Sequence, residues 1–414
     1  MIRYWKSISI ILVVILAIGA FYIQAAFAGK SNPEFAITTK SGDETVFKNI
    51  SLHSNYQMDD LIISTEGSKY QDELSYVDRL VGFYTNSKIK QLQSDYRSFM
   101  RGKGDITELY EDEGILAYAE VEFKYHRGEA SDFSIDIEVL DKESKERSAF
   151  TVDVPEKKNY NYVYINDVRV IDGTLKVTTT NALRSDQFNS DEVHIYHFNL
   201  TEQTLVKDEI IGAEQEGKHG KLDYVRLMND YDELSGEKYL VFEMVYVEDI
   251  NLEDENLHPD YYPEYIGSEF LTYNLETGEQ KRIEIPDEAE QLMKQMRDTP
   301  GEIIVNNSKL HFIEVTETGL ELIVYNIENG ETESKQSVEI PKTDMDLQMN
   351  WPMFKIIDDK LYIVSSQIDR ETQSPIMVAD LNSGDILYVG TVEDRDSGQE
   401  KEIYGVNIYD LVVD

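Results

Sequence analysis

Short apolar runs dominate the chain after about its first 30 residues, and many of them alternate with polar positions. Alternation with a period of two places one set of side chains on each face of a strand, which is typical of a half-buried β-strand. Clusters of Gly, Asn, Asp and Ser separate these runs and indicate turns. The pattern therefore predicts an all-β fold.

One element recurs along the chain, a polar turn followed by a strand centred on leucine. Successive copies are roughly 50 to 70 residues apart. The six leucines are Leu61, Leu116, Leu175, Leu240, Leu310 and Leu361. A repeat of this length is the size of one small sheet that must stack on its neighbours to bury both faces.

A second recurring element is a strand that ends in Asn or Asp and an aliphatic residue, followed by a turn and another strand. Clear copies begin at Asn274, Asn326 and Asp380, and less regular ones begin at Asn199 and Asp141. In such a turn the Asn or Asp side chain caps backbone N–H groups, and a glycine supplies the positive-φ corner. Each copy predicts a β-hairpin.

Between Asp172 and Val392 this pattern resembles the divergent β-propellers of extracytoplasmic proteins of Gram-positive bacteria. The resemblance implies about six to seven blades, each a four-stranded sheet. Neither a Trp-Asp nor a kelch-type signature is present. Another repetitive β fold, such as a pair of β-sandwiches, remains the alternative.

Two helical insertions interrupt the strands. Residues 86–100 place apolar side chains on one helical face, and a second helix is predicted to start at Pro286 and to end before Pro300. Near the C-terminus, the strand at residues 403–409 is expected to complete a sheet with the opposite end of the chain, for example with residues 44–52. Such pairing would cover strand edges that otherwise aggregate.

The N-terminus carries Arg3 and Lys6 before an uncharged apolar run from Ile8 to Ile23. Residues 1–28 therefore predict a signal anchor or a signal peptide, with Ala28 as the last residue before cleavage in the second case. Residues 29–45 are expected to be a linker and residues 46–414 an extracytoplasmic domain. The expected location is the cell membrane with a single span, or secretion if the segment is cleaved.

The amino-acid composition limits the classes of partner that the protein can be expected to bind. The chain has 80 acidic and 39 basic residues, a net charge of −41 and no cysteine. A surface this acidic repels nucleic acid and anionic wall polymers, so no nucleic-acid partner is expected. The lack of cysteine excludes disulfides, thiolate metal sites and cysteine nucleophiles. The expected partners are the membrane, through the N-terminal helix, and a protein or cell-wall component.

No short catalytic motif is present. The chain lacks Gly-x-Ser-x-Gly, a complete phosphate-binding loop and His-Glu-x-x-His. His194 and His197 are three residues apart on a predicted strand, so they are expected on opposite faces and not as ligands of one metal. No cofactor is expected, apart from a Ca²⁺ ion at the loop described next.

The most acidic stretch is a long predicted loop between two strands. Its candidate Ca²⁺ ligands are Glu248, Asp249, Glu253, Asp254, Glu255 and Asp260. Candidate partner-contact residues are Tyr261, Tyr262, Tyr265 and Trp351. The spacing of a calcium-binding loop is missing, so a solvated acidic loop is the competing interpretation, and core packing competes for Trp351.

These features predict a non-enzymatic, membrane-tethered binding or accessory module that presents its loops to a protein or envelope partner. The first alternative is a hydrolase or lyase that acts on a polysaccharide through two carboxyl groups in a cleft. The second alternative is an ectodomain that senses cations or envelope stress. No catalytic residue is assigned by the sequence.

Overall fold

The computed structural model describes residues 32–74, 86–126, 128–184, 191–212, 220–229, 237–248, 263–296, 299–340, 352–368, 374–395 and 405–413. Two compact units are present. The first unit combines the residues up to 85 with 317–319 and 338–414, and the second combines 86–316 with 320–337.

The described residues form 26 strands and two α-helices. The first half of the strands, in chain order, is β1 (Phe35–Gly42), β2 (Ile50–Tyr56), β3 (Asp59–Ile63), β4 (Ser68–Tyr70), β5 (Leu109–Glu111), β6 (Ile115–His126), β7 (Glu129–Asp141), β8 (Arg147–Asp153), β9 (Tyr160–Ile171), β10 (Thr174–Leu183), β11 (Asp191–Asn199), β12 (Thr204–Ile210) and β13 (Lys221–Leu227). The second half is β14 (Tyr239–Val247), β15 (Tyr265–Asn274), β16 (Gln280–Ile283), β17 (Gly301–Asn306), β18 (Lys309–Val315), β19 (Gly319–Asn326), β20 (Glu331–Glu339), β21 (Pro352–Ile357), β22 (Lys360–Ser365), β23 (Gln367–Ile368), β24 (Ser374–Asp380), β25 (Ile386–Asp394) and β26 (Val406–Val413). The helices are α1 (Ser87–Asp95) and α2 (Asp287–Gln295).

The first unit contains two five-stranded sheets, in the orders β1-β25-β24-β22-β21 and β23-β26-β2-β3-β4. Both sheets join strands from the two ends of the chain. β2 pairs with β26 from Ile50 opposite Val413 to Tyr56 opposite Val406, and β1 pairs with β25. The predicted pairing of an early strand with the last strand is confirmed. The sequence predicts residues 29–45 as a linker, but this stretch contains β1. Phe35, Ala36 and Ile37 of β1 are buried, which explains why this part of the stretch is a strand.

The second unit contains four four-stranded sheets, each made of consecutive strands: sheet III is β5–β8, sheet IV is β9–β12, sheet V is β13–β16 and sheet VI is β17–β20. Neighbouring sheets share apolar cores. Val163 and Phe198 belong to the core shared with sheet III, and Val193 belongs to the core shared with sheet V. Phe270 of sheet V meets Phe312 of sheet VI edge to face at 6.3 Å. Stacking therefore buries faces that one sheet alone would expose.

The repeated leucines mark the sheets. Each of the six lies in a different sheet, and all are buried. Two-residue turns with positive φ at both positions precede four of them, at Gln57-Met58, Asp172-Gly173, Asn307-Ser308 and Asp358-Asp359. These turns match the twist of the flanking strands. The six sheets and two short helices confirm the all-β prediction.

The five predicted hairpins all form. Four of them join the third and fourth strands of sheets III to VI, and the Asp380 hairpin joins β24 and β25. The Asn or Asp side chain accepts hydrogen bonds from backbone N–H groups in the turn, as Asn326 does from Glu328 and Asn329 over 2.8 and 3.1 Å. Gly330 takes the corner with φ +74°, whereas Gln203 and Lys145 occupy it in the less regular copies. Turn chemistry thus fixes the hairpins locally.

Both predicted helices are present. α1 buries Ile89 and Leu92 against sheet III, and α2 follows Pro286 and buries Ala289 and Leu292. No helix in the described part of the chain is both long and apolar enough to cross a bilayer. The predicted delivery segment, residues 1–28, lies outside the described residues.

Candidate functional site

An open cleft of about 710 Å³ lies in the second unit, where sheets III and IV meet. This volume is within the range of about 300–1,000 Å³ that small-molecule sites occupy. The cleft is lined by Phe123, Gly128, Glu129, Ala130, Asn161, Tyr162, Val163, Tyr164, Ala182 and Asp191. Five strands, β6, β7, β9, β10 and β11, supply these residues together with the β6–β7 turn.

Three aromatic side chains form what we call the aromatic shelf: Phe123, Tyr162 and Tyr164. They are 40%, 55% and 50% exposed, respectively. Along β9 the tyrosines alternate with Val163 and Ile165, which are buried in the core between sheets III and IV. Strand geometry therefore holds both tyrosines on one face, about 7 Å apart along the strand. Large apolar rings held open to solvent are a feature of binding surfaces.

The strand register builds a row of three residues across sheet IV. Ala182 of β10 is directly opposite Tyr162 of β9 on one side and Asp191 of β11 on the other. Residues that are directly opposite in an antiparallel sheet point to the same face. The small Ala182 side chain thus leaves space between a tyrosine ring and a carboxyl group.

Asp191 is one of the two carboxyl groups that line the cleft within the described part of the chain. Partial burial raises the pKa of Asp191, and the negative charge of Asp223 on β13 raises it further. A carboxyl group with a raised pKa keeps its proton to higher pH, as a general acid must.

The second carboxyl group that lines the cleft is that of Glu129, which forms an ion pair with Arg184. Arg184 donates from Nη1 to Glu129 Oε2 over 3.0 Å, and from Nη2 to the carbonyl oxygens of Ala130 at 3.0 Å and Tyr160 at 3.2 Å. One guanidinium thus connects the carboxylate to the backbones of β7 and β9. A planar fork with several donors suits such bridging.

A further titratable group lies apart from the residues that line the cleft. Glu108 ends a short 3-10 turn, Ile106–Glu108, and burial raises its pKa to about 7, with Asp105 and Glu120 adding like charge. A hydrogen bond with Tyr118 opposes this rise. The Tyr118 hydroxyl also donates to Glu120 over 2.9 Å.

The two histidines of β11 have separate surroundings, as the strand period predicts. His194 contacts Asp208 through Nδ1 at 2.8 Å, whereas His197 contacts Glu209 through Nε2 at 2.7 Å. Burial lowers the pKa of His197, an effect that the charge of Glu209 opposes. Within the described residues, no group of three or more His, Asp or Glu side chains is placed to hold a metal ion.

Most of the predicted site residues lie outside the described residues. These are Asp249, Glu253, Asp254, Glu255, Asp260, Tyr261, Tyr262 and Trp351. The backbone N–H of Glu248 donates to Glu264 over 2.9 Å, and the Tyr265 hydroxyl contacts Ser268 at 3.0 Å. Neither Glu248 nor Tyr265 lines the cleft. Ca²⁺ binding and partner contact at that loop stay predictions.

No family model and no curated protein sequence matches the chain. Solved structures with a similar fold include a mutant of the Synechocystis apocarotenoid oxygenase, with 9% identity, coverage of 73% of this chain and 64% of that one, and a TM-score of 0.33. An ulvan lyase of polysaccharide lyase family PL25 has 9% identity, 68% coverage of both chains and a TM-score of 0.35. A dipeptidyl aminopeptidase IV-type protein of Bacteroides ovatus has 10% identity, coverage of 84% of this chain and 48% of that one, and a TM-score of 0.35. The likeness is one of general propeller-like fold.

These structural neighbours are enzymes, which contradicts the prediction of a non-enzymatic binding module. That prediction was wrong because it depended on the absence of a contiguous catalytic motif. The carboxyl groups and rings of the cleft come from separate strands, and no short motif connects them.

Sequence reasoning missed the whole cleft, although one signal pointed to it. Tyr160, Tyr162 and Tyr164 recur at strand spacing, as do Phe123 and Tyr125. Of these, Tyr162, Tyr164, Phe123 and Tyr125 are exposed, whereas aromatic residues in a strand normally face a core. The position of Asp191 beside them follows only from the register of sheet IV.

Proposed function

We propose that the protein is an enzyme that hydrolyses glycosidic bonds of a polysaccharide in this cleft. One observation carries the proposal: a carboxyl group with a raised pKa, Asp191, and a second, ion-paired carboxylate, Glu129, line the same cleft as the exposed aromatic shelf. Two carboxyl groups in different environments are the usual equipment for this reaction.

Asp191 is the general acid in this proposal. Its proton passes to the glycosidic oxygen as the bond between that oxygen and the anomeric carbon breaks. Glu129 takes a proton from water, whose oxygen forms the new bond to the anomeric carbon. The leaving sugar gains a hydroxyl group, the other sugar gains the water oxygen, and proton exchange with solvent restores both carboxyl groups.

Hydrolysis is favoured over elimination by the charges that line the cleft. A lyase abstracts a proton beside a uronate carboxylate and needs a cation to stabilise the resulting charge. The described residues that line the cleft include no Lys or Arg. Arg184, close by, already contacts a carboxylate and two carbonyl oxygens.

An extracytoplasmic location is part of the proposal. The uncharged run from Ile8 to Ile23 behind Arg3 and Lys6 supports export, which would bring the enzyme to envelope or environmental polysaccharides. Attachment and secretion differ in whether the chain is cleaved after Ala28. Mass spectrometry of the protein recovered from cells and from medium distinguishes them.

The test is a reducing-sugar assay on a panel of polysaccharides with the wild type, Asp191→Asn and Glu129→Gln. We expect each substitution to lower kcat by about 10²–10⁴-fold, the usual contribution of a positioned acid or base. Glu34→Gln is the matched control, because Glu34 pairs with Arg395 at 3.0 Å in the first unit, as Glu129 pairs with Arg184. Full activity in both cleft variants, or cleavage of no polysaccharide by the wild type, would refute the proposal.

A further inference from the structure

We infer that the polymer held in the cleft is an uncharged glycan, without acidic or basic groups on the sugars that occupy it. This inference rests on the proposed function and adds the substrate class. Its grounds are the composition of the aromatic shelf, the sign of the charges around it and the proton that Asp191 has to keep.

The aromatic shelf provides binding that needs no charge on the ligand. The faces of sugar rings carry C–H groups with partial positive charge, and the faces of aromatic rings carry partial negative charge. Tyr162 and Tyr164 follow each other on one strand face, and Phe123 of β6 lines the same cleft. Phe123 is itself supported by the buried Phe133 ring at 6.0 Å. Tyr162 and Tyr164 therefore offer adjacent rings for successive sugars, and Phe123 adds a third ring to the lining of the cleft.

The charges around the shelf disfavour an acidic glycan. Two carboxyl groups line the cleft, a third on Asp223 acts on Asp191, and the whole chain carries a net charge of −41. A uronate or sulfate group on the ligand would meet like charge at each of these points. The nearest guanidinium, Arg184, donates to Glu129 instead.

A basic glycan is disfavoured by the chemistry of the acid. An ammonium group on a sugar next to Asp191 would stabilise the ionised carboxylate and lower its pKa. The proton required for cleavage would then be lost at a lower pH. An uncharged sugar adds no charge next to Asp191, and it displaces water from the carboxyl group.

The experiment is affinity electrophoresis of Asp191→Asn, which retains the shelf and does not consume the polymer. Gels contain one probe each: a β-glucan, a mannan, a xylan or starch as uncharged polymers, polygalacturonate or alginate as polyanions, and a soluble chitosan as a polycation. Each gel is run at low and at high NaCl. We expect retardation in at least one uncharged polymer that persists at high salt, because stacking is not screened as ion pairing is.

Tyr162→Ala/Tyr164→Ala in the Asp191→Asn background should reduce that retardation at least tenfold. Tyr409→Ala, an exposed strand tyrosine in the first unit, is the control, and Tyr164→Phe keeps the stacking ring in case the double variant does not fold. Salt-sensitive retardation by polyanions or by chitosan, without retardation by uncharged polymers, overturns the inference while leaving glycan hydrolysis intact. Retardation by none of the probes refutes both the inference and the proposed function.

Discussion

Replacing Glu108 with glutamine tests how the ionisation of one partly buried carboxyl group changes the stability of the fold. Burial raises the pKa of Glu108 to about 7, with Asp105 and Glu120 as like-charged neighbours. Glu108→Gln keeps the size of the side chain and removes its ability to ionise. The pH-dependent part of any difference in stability between the variant and the wild type therefore reports the ionisation of Glu108.

The sign follows from linkage. In the unfolded chain the carboxyl group has the ordinary glutamate pKa of 4.5, whereas burial in the folded protein raises that pKa to about 7. Between these values the unfolded state releases a proton that the folded state keeps, so raising the pH destabilises the wild type. The full difference corresponds to about 3 kcal/mol at most. Because the side chain is partly exposed, solvent screening reduces the expected effect to about 1–2 kcal/mol.

The assay is urea unfolding of Glu108→Gln and the wild type at about pH 4 and about pH 8, on either side of this window. The variant should be similar to the wild type at the lower pH, and more stable by about 1–2 kcal/mol at the higher one. Glu113→Gln, on the exposed turn before β6, controls for the loss of one negative charge. A pH-independent difference for Glu108→Gln would refute the argument from burial.

Three further substitutions test the cleft and the turns. Arg184→Lys should lower the hydrolytic kcat by about tenfold or more, because one ammonium cannot bridge Glu129 and two carbonyl oxygens. The control is Arg395→Lys, which breaks a similar bridge in the first unit and should leave kcat unchanged in the same assay. Ala182→Leu should weaken glycan retardation about tenfold or more by filling the cleft, with an unchanged circular dichroism spectrum; unchanged retardation would contradict the geometry of the row. Met58→Gly should stabilise the protein by about 0.5–1 kcal/mol in urea, because Met58 holds φ +68° in a turn that glycine adopts freely; destabilisation would count against this conformation.

Local sequence patterns predicted the architecture well, for a physical reason. A turn such as Asn326 to Gly330 is made by its own side chain and one positive-φ residue, so its signal is contained in a few letters. Leu240 and its five equivalents are each buried in a different sheet, and the repeat reveals them without knowledge of the contacts. The two helices likewise follow from periodicity and from Pro286.

The cleft escaped prediction because it depends on distant pairings. Asp191 shares a row with Tyr162 only through the register of β10 with both neighbours, and Glu129 belongs to a different sheet. Among 80 acidic residues, sequence alone offers no way to choose these two. The acidic stretch from Glu248 to Asp260 stands out by charge density alone, and Ca²⁺ binding and partner contact there stay predictions.

The pairing of β2 with β26 constrains the order in which the strands of the first unit can pair during folding. Ile50 is opposite Val413, so β2 pairs with a strand that is made much later than β2 itself. Until that strand arrives, one edge of β2 has unpaired N–H and C=O groups and can pair with another chain. Sheets III to VI consist of consecutive strands and can form while synthesis continues. Removal of β26 should therefore impair the first unit most, because it leaves one edge of β2 open to pairing with another chain.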